Sequence, residues 1–202
     1  WSATGFFNTD GKGSKAVQWT SLKEDPSSDD MQVVFVDGDK DLHTAYWDGS
    51  AWAVSSKVGI VDTQSLRAAD FDWEPSGSQG RLVWDADGNG DTLKTLTCTP
   101  QCTGSATDIS TFTKAGEFLT LVRNPYQGQQ VKIIGVRLNS GNNIGSFSFN
   151  GSSFNNYGDS YITPSAQTGF EVESLSFTFF TPLLILSVES PRDITYDSNS
   201  IP

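Results

Sequence analysis

Histidine occurs once in this sequence, at His43, methionine once, and cysteine twice, at Cys98 and Cys102. A single histidine leaves His-based zinc sites and a Ser-His-Asp triad short of parts, and no G-x-S-x-G elbow accompanies it. Basic residues are scarce as well: 13 Lys and Arg stand against 24 Asp and Glu, a formal charge of −11. A field of that sign repels phosphate backbones and argues against nucleic acid as a partner. Long apolar runs are missing. The most apolar stretch, FTFFTPLLILSV, is short and interrupted by Pro182, so no membrane insertion is expected. Nineteen glycines with abundant Ser, Thr, Asn and Asp exclude long helices, because these residues favour turns and compete with helical hydrogen bonds. A start at Trp1, with no charged leader ahead of an apolar stretch, is what a processed or excised chain shows.

What the chain does have is aromatics, with 13 Phe, 6 Trp and 5 Tyr, set in a pattern that repeats. VVFVDGDKDLHTAYWDGSAW (33–52) aligns with RLVWDADGNGDTLKTLTCTPQC (81–102) and with KIIGVRLNSGNNIGSFSFNGSSF (132–154). The strands before them match too, each closed by a proline: Pro26, Pro75 and Pro125. Proline ends a strand ladder because it has no N–H to donate. Each repeat therefore reads as strand, Pro-turn, strand, Asp/Asn/Gly hairpin, strand, tight turn and a last short strand. A fourth copy begins in VESLSFTFFTP and LLILSV, with Pro182 in the matching place. Alternation supports strands throughout: Leu42, Thr44 and Tyr46 fall on one face, as do Leu175, Phe177 and Phe179.

Four-stranded units at a period of about fifty residues predict an all-β fold, a small β-propeller of about four blades. In it, the N-terminal strand within WSATGFF completes the last blade and closes the ring. The alternative is one or two β-sandwich domains, since side-chain alternation cannot separate the two. Residues 1–186 are expected to hold the repeats. Residues 187–202 supply last-blade strands or lead toward a neighbouring domain or subunit.

The turns YWDGSAW and FNGSSF resemble the Asp-box hairpins of sialidase-like propellers and the W-x-D-G-x-x-W segments of fucose-binding propeller lectins. The sialidase resemblance implies an arginine triad, yet Arg67, Arg81, Arg123, Arg137 and Arg192 share no common context. The lectin resemblance implies an Arg, a Glu or Gln and a Trp around each sugar. Trp73 and Glu74 stand beside Pro75, but the next repeat has Arg123 and Asn124 there. The tail ILSVESPRDITYDSNSIP resembles the opening strands of Ig-like modules in archaeal and bacterial surface proteins.

Several residues offer chemistry. In DADGNGD, the oxygens of Asp85, Asp87, Asn89 and Asp91 alternate as in a calcium loop, although Leu96 stands where an EF-hand needs a bidentate Glu. The first repeat keeps acids there but adds Lys40, and the third keeps the turn with no carboxylate, so the acids are optional to the hairpin. No cofactor is required on this reading, and calcium is an added property of one loop. Cys98 and Cys102 occupy the places of Trp47 and Trp52, and of Phe149 and Phe154, where two aromatics clasp a turn; a local disulfide does the same covalently. Tyr126 and Tyr157 lie in polar loops and are candidates to stack on a sugar or protein ligand. Asn150, in NGS, is a glycosylation acceptor in an exposed turn.

No convergent catalytic set emerges, so a non-enzymatic protein is expected. The charge, the many strands and the strand-like tail point to an extracellular structural or interaction module of a cell-surface or filamentous assembly. Its partners are then neighbouring domains or identical subunits. The alternative is a lectin-like, carbohydrate-binding protein with glycan partners.

Overall fold

In the computed structural model, every regular element among the described residues is a strand, and fifteen strands make four antiparallel sheets. The structure describes residues 15–54, 57–62, 67–88, 93–109, 116–126, 128, 130–139, 143–161, 174–180 and 183–189. The chain divides into two units, Trp1–Ile162 and Thr163–Pro202.

Three sheets fill the first unit. The first runs β1 (Val17–Glu24), β2 (Met31–Asp37), β3 (Asp41–Trp47) and β4 (Trp52–Val54), with β5 (Gly59–Ile60) also on β3. The second runs β6 (Ala69–Trp73), β7 (Gly80–Asp85), β8 (Leu93–Cys98) and β9 (Thr107–Asp108). The third runs β10 (Gly116–Arg123), β11 (Ile133–Asn139), β12 (Asn143–Phe149) and β13 (Phe154–Tyr161). In the second unit, β14 (Ser174–Phe180) pairs with β15 (Leu183–Glu189), Ser174 opposite Glu189 and Phe180 opposite Leu183.

The repeat read from the sequence is visible in the turns. Each Pro-turn is closed by one backbone bond: Asp25 N to Asp30 O, Glu74 N to Gln79 O, and Asn124 N to Lys132 O, at 2.9, 2.8 and 2.8 Å. The last tight turn is clasped by Trp47 opposite Trp52, ring centroids 5.5 Å apart, and by Phe149 opposite Phe154, at 4.8 Å. In the second sheet the clasp is the Cys98–Cys102 disulfide.

Alternation decides what each face meets. Phe71, Trp73, Leu82, Trp84 and Leu96 of the second sheet pack with Val34, Val36, Leu42 and Tyr46 of the first. On the opposite face Val83 and Leu93 pack with Leu119, Leu121, Ile133, Phe147 and Phe149 of the third. The second sheet is thus the middle of three layers, apolar toward both neighbours, and its Trp73 and Trp84 are almost wholly buried. Burial of such rings is the main favourable term of the packing, each worth about 2–3 kcal/mol by its area.

Among the described residues no ladder joins these sheets; the first and second meet by the single bridge Val61–Ala86, flanked by Asp62 N to Asp85 O (3.0 Å) and Asp87 N to Ile60 O (3.2 Å). Alternate N–H groups on the free edge of β10 point at β6: Leu119 N donates to Arg67 O (2.7 Å), Leu121 N to Asp70 Oδ2 (2.7 Å), and Arg123 N to Asp72 Oδ2 (2.9 Å). On the other side, Asp70 Oδ1 accepts from Ser21 Oγ of β1 at 2.9 Å and pairs with Arg67. Trp73 Nε1 donates to Lys23 O (3.2 Å), and Arg123 Nη1 to Glu24 O (2.9 Å).

This corrects the expected closed ring of four blades. The three larger sheets are separate, and the fourth pair is a two-stranded hairpin. Among the described residues no strand closes one sheet onto another, and face-to-face layering is closer to the sandwich alternative. The physical reason is at the edges, where side chains satisfy the groups that a bridging strand would otherwise pair. The strand expected in residues 1–7 to lock a ring, and the tail from 190 onward, lie outside the described residues.

Asp70 is fully buried and serves both neighbouring sheets. Asp70→Ala leaves the buried Leu121 N–H unpartnered and takes from Arg67 its carboxylate, leaving it Ser21 Oγ alone, and is expected to lower unfolding stability by about 2–4 kcal/mol. A urea midpoint unchanged from the parent protein would show that these carboxylate bridges do not hold the layers.

Candidate functional site

The three Pro-turns share a backbone and differ at the residue that starts them. Asp25 Oδ1 accepts from the N–H and hydroxyl of Ser27, both at 2.8 Å, while Oδ2 accepts from Ser78 N in the second sheet at 2.8 Å. That junction is tight: Gly77 has φ +72°, and a Cβ there would run into Ser27 and the Asp25 carboxylate. Asn124 Oδ1 accepts from Tyr126 N at 3.0 Å, and its Nδ2 donates to Val131 O at 2.9 Å. Both short side chains cap their own turns, and Asp25 spends its second oxygen on the neighbouring sheet.

Glu74, in the same place, is one methylene longer and does not cap its turn. It is only 9% exposed, and its Oε1 has no hydrogen-bond partner. Burial pushes its carboxyl above the ordinary glutamate range, against the opposing pull of Arg81 and then Lys132. Arg81, on β7, lies on the face turned to the third sheet. Its guanidinium carbon sits 4.2 Å from the Phe149 ring centroid, Nη1 donates to Thr97 Oγ1, and Nε has no partner. Burial lowers the Arg81 guanidinium, with Glu74 acting to raise it. A carboxylate oxygen and a guanidinium N–H therefore stand without partners at the junction of the second and third sheets. Such groups are costly to bury unless a ligand completes them. Adjacent hydroxyls, able to donate to one and accept from the other, have matching chemistry.

A second cluster lies at the end of the first hairpin. Asp37 ends β2, Asp41 opens β3, and His43 follows two residues on, on the same face. Their ligand atoms lie within 4.8 Å of one another, an arrangement able to coordinate a metal ion and tied to no particular metal, calcium included.

The residues expected from sequence are placed as follows. Asp85 is buried in β7, while Asp87 is exposed and pairs with Lys40 at 3.7 Å; Asn89 and Asp91 lie outside the described residues. Cys98 and Cys102 are bonded to each other. Tyr126 is 46% exposed in the turn after Pro125. Tyr157 falls on β13 within a register shift, since Gly145 pairs with Asp159 and Phe147 with Asn156. Asn150 occupies an exposed turn and caps it, its Oδ1 accepting from the N–H groups of Ser152 and Ser153. Asp48 does the same for Ser50 and Ala51, and the Ser50 hydroxyl, followed by these N–H groups, lowers its pKa. The Glu74–Arg81 junction and the Asp37–Asp41–His43 cluster were not anticipated. The available signals were Glu74 beside Trp73, which the lectin resemblance picks out and which stands where the other repeats have Asp and Asn, and the acids Asp37 and Asp41 of the first hairpin turn.

No protein-family model matches the chain, and no curated protein matches it. Among solved structures it resembles the SapL1 lectin in complex with alpha methyl fucoside, with a TM-score of 0.52 at 9% identity over 86% of this chain and 54% of that one. That likeness is one of fold. A triple arginine-to-alanine mutant of AofleA from Arthrobotrys oligospora matches at a TM-score of 0.49 and 14% identity, over 78% of this chain and 44% of that one. A fucose lectin from Kordia zhangzhouensis in complex with methyl-fucoside matches at 0.43 and 14%, over 67% of this chain and 96% of that one. The chain thus spans about half the length of the first two.

The contrast between two equivalent acids gives a test. Asp25→Ala removes three hydrogen bonds, one of them between sheets, and is expected to cost about 2 kcal/mol. Glu74→Gln removes a buried charge that caps nothing, and is expected to stay within about 0.5 kcal/mol of the parent or to stabilise. Urea denaturation of both variants checks this; equal losses would make Glu74 a structural residue.

Proposed function

We propose that the protein binds carbohydrate, with the ligand at the junction of the second and third sheets. The observation that carries this reading is the buried, unpartnered Glu74 Oε1 beside the Arg81 guanidinium. The Glu74 carboxylate accepts from one or two sugar hydroxyls, and Arg81 donates to ring or hydroxyl oxygens. Phe149 supports the guanidinium from below and so fixes its plane. Tyr126, exposed in the neighbouring Pro-turn, supplies an aromatic face for the apolar side of the sugar. The lectin-like fold supports the same reading and makes alpha methyl fucoside the first ligand to try. The Cys98–Cys102 disulfide and the charge of −11 suit an extracellular setting and glycan partners. A purely structural role, expected from strand content and charge, leaves the open Glu74–Arg81 pair without a purpose.

Calorimetric titration with alpha methyl fucoside and a panel of other monosaccharides tests the proposal. Arg81→Ala and Glu74→Gln are each expected to weaken binding about 10- to 100-fold, and Tyr126→Ala about 10-fold. The pH dependence has a definite sign. Burial raises the Glu74 pKa, so binding is complete above that pKa and falls as pH drops through it, by about tenfold per unit below. The fall begins at a higher pH than an ordinary glutamate would give, and Glu74→Gln removes it. Absence of binding across the panel, or affinity indifferent to both Arg81 and Glu74, would overturn the reading.

A further inference from the structure

The hairpin β2–β3 turns at Gly38–Lys40, with Lys40 in the left-handed region at φ 68°. Asp37 holds this turn: its Oδ1 accepts from Asp39 N at 2.9 Å and Asp41 N at 3.0 Å. That use of one oxygen fixes the carboxylate and leaves Oδ2 facing His43 Nε2 at 3.8 Å. Asp41 stands beside them, on the same face of β3 as His43. Phe35 lies directly across from His43 and stacks on its ring, centroids 5.1 Å apart and planes 10° from parallel. The imidazole is thereby held in one orientation, edge toward the two acids. It is 3% exposed, and its Nδ1 has no hydrogen-bond partner. A buried, unsatisfied imidazole beside two carboxylates is poorly explained by packing alone.

We infer that Asp37, Asp41 and His43 form a binding site for a divalent ion of the zinc class, distinct from the proposed sugar site. The donor set decides the class. Calcium takes six to eight oxygens, whereas this cluster offers one imidazole nitrogen and two carboxylates. One nitrogen and two oxygens, with water as fourth ligand, match the tetrahedral preference of Zn²⁺. Ligand atoms around tetrahedral zinc lie about 3.4 Å apart. The atoms here lie within 4.8 Å of one another, with the fixed Asp37 Oδ2 already 3.8 Å from His43 Nε2, and rotation of the part-exposed Asp41 side chain closes the rest. The groups facing the site are accounted for. Lys57 Nζ lies 2.7 Å from Asp41 Oδ1, but its side chain is 41% exposed and can swing to solvent when an ion takes its place. Lys40 pairs with Asp87, and Lys15 with Asp39, outside the donor set. Metal binding would pin the two strands of the first hairpin together beside their turn.

Titration of the EDTA-treated full chain with Co²⁺ and Zn²⁺ tests this. One equivalent of Co²⁺ is expected to bind with the strong visible bands of a tetrahedral site, to be displaced by Zn²⁺, and to ignore excess Ca²⁺. Asp41→Asn, at a partly exposed position, is expected to weaken Co²⁺ binding more than about 100-fold, as loss of a direct ligand exceeds the 10- to 100-fold cost of losing an outer partner. His43→Gln should abolish the bands. Lys57→Ala, which removes the competing cation, should tighten binding several-fold, while Asp87→Asn, in the neighbouring acidic loop, should leave it unchanged. Absence of Co²⁺ binding, equal binding in Asp41→Asn, loss on Asp87→Asn, or preference for Ca²⁺ would each overturn the assignment. If His43→Gln does not fold, Asp41→Asn and Lys57→Ala still decide it.

Discussion

The layered structure of the first unit rests on two aspartates that do the work of a strand. Asp70 and Asp72 lie on β6, and their carboxylates accept from alternate N–H groups on the free edge of β10. On the opposite side they meet Ser21 and Lys23 of β1. An unpaired edge buried between layers would leave a row of N–H groups without water or partner. Here the neighbouring sheet supplies oxygens at a two-residue interval, which is the repeat of the edge itself. The arrangement has its own cost. Burial raises the Asp72 carboxyl, and Lys23 and the Arg123 N–H act against that rise. Several donors converge on each carboxylate, the condition under which buried charge is tolerable.

The same three-fold register explains how one junction between sheets became available for binding while its counterpart did not. At the junction of the first and second sheets, Asp25 closes on Ser27 and Ser78 and leaves no oxygen over. At the junction of the second and third, the homologous position is Glu74, whose extra methylene carries the carboxylate past its turn and toward Arg81. A change of one carbon thus separates a cap from a candidate binding group. The metal-ligand cluster is of a different kind. It arises within one hairpin, from two aspartates and a histidine brought together by local strand geometry, and owes nothing to the neighbouring sheets.

The period and turn chemistry of the fold were legible because they are local. Pro26, Pro75 and Pro125 end their strands where their missing N–H requires, and Cys98 with Cys102 does take the place of the aromatic pairs Trp47–Trp52 and Phe149–Phe154. Closure into a ring was not legible, because a repeat defines its unit and not how units meet. That depends on edges, and nothing in ADFDW marks its two aspartates as edge partners, although they are among the most buried acids of the described residues. The candidate sites were hidden for similar reasons. Glu74 and Phe149 are 75 positions apart in sequence, and nothing short of the packed layers brings Arg81 between them. The calcium-like spacing of DADGNGD was the more conspicuous pattern. In the structure Asp85 is drawn into the core face of β7, and Asp87 is paired with Lys40.

Gly77 has a consequence for how such a chain can change over time. With no room for even a methyl group between it and the Asp25 turn, the first two sheets meet through a seam whose spacing is fixed by a missing side chain. The matching turn of the third sheet runs from Asn124 to Lys132, longer than the six positions from Glu74 to Gln79. Length can accumulate on that side without disturbing the seam. The molecule therefore has one pair of turns fixed by fit and another with a longer turn on one side, and the latter borders the Glu74–Arg81 pair.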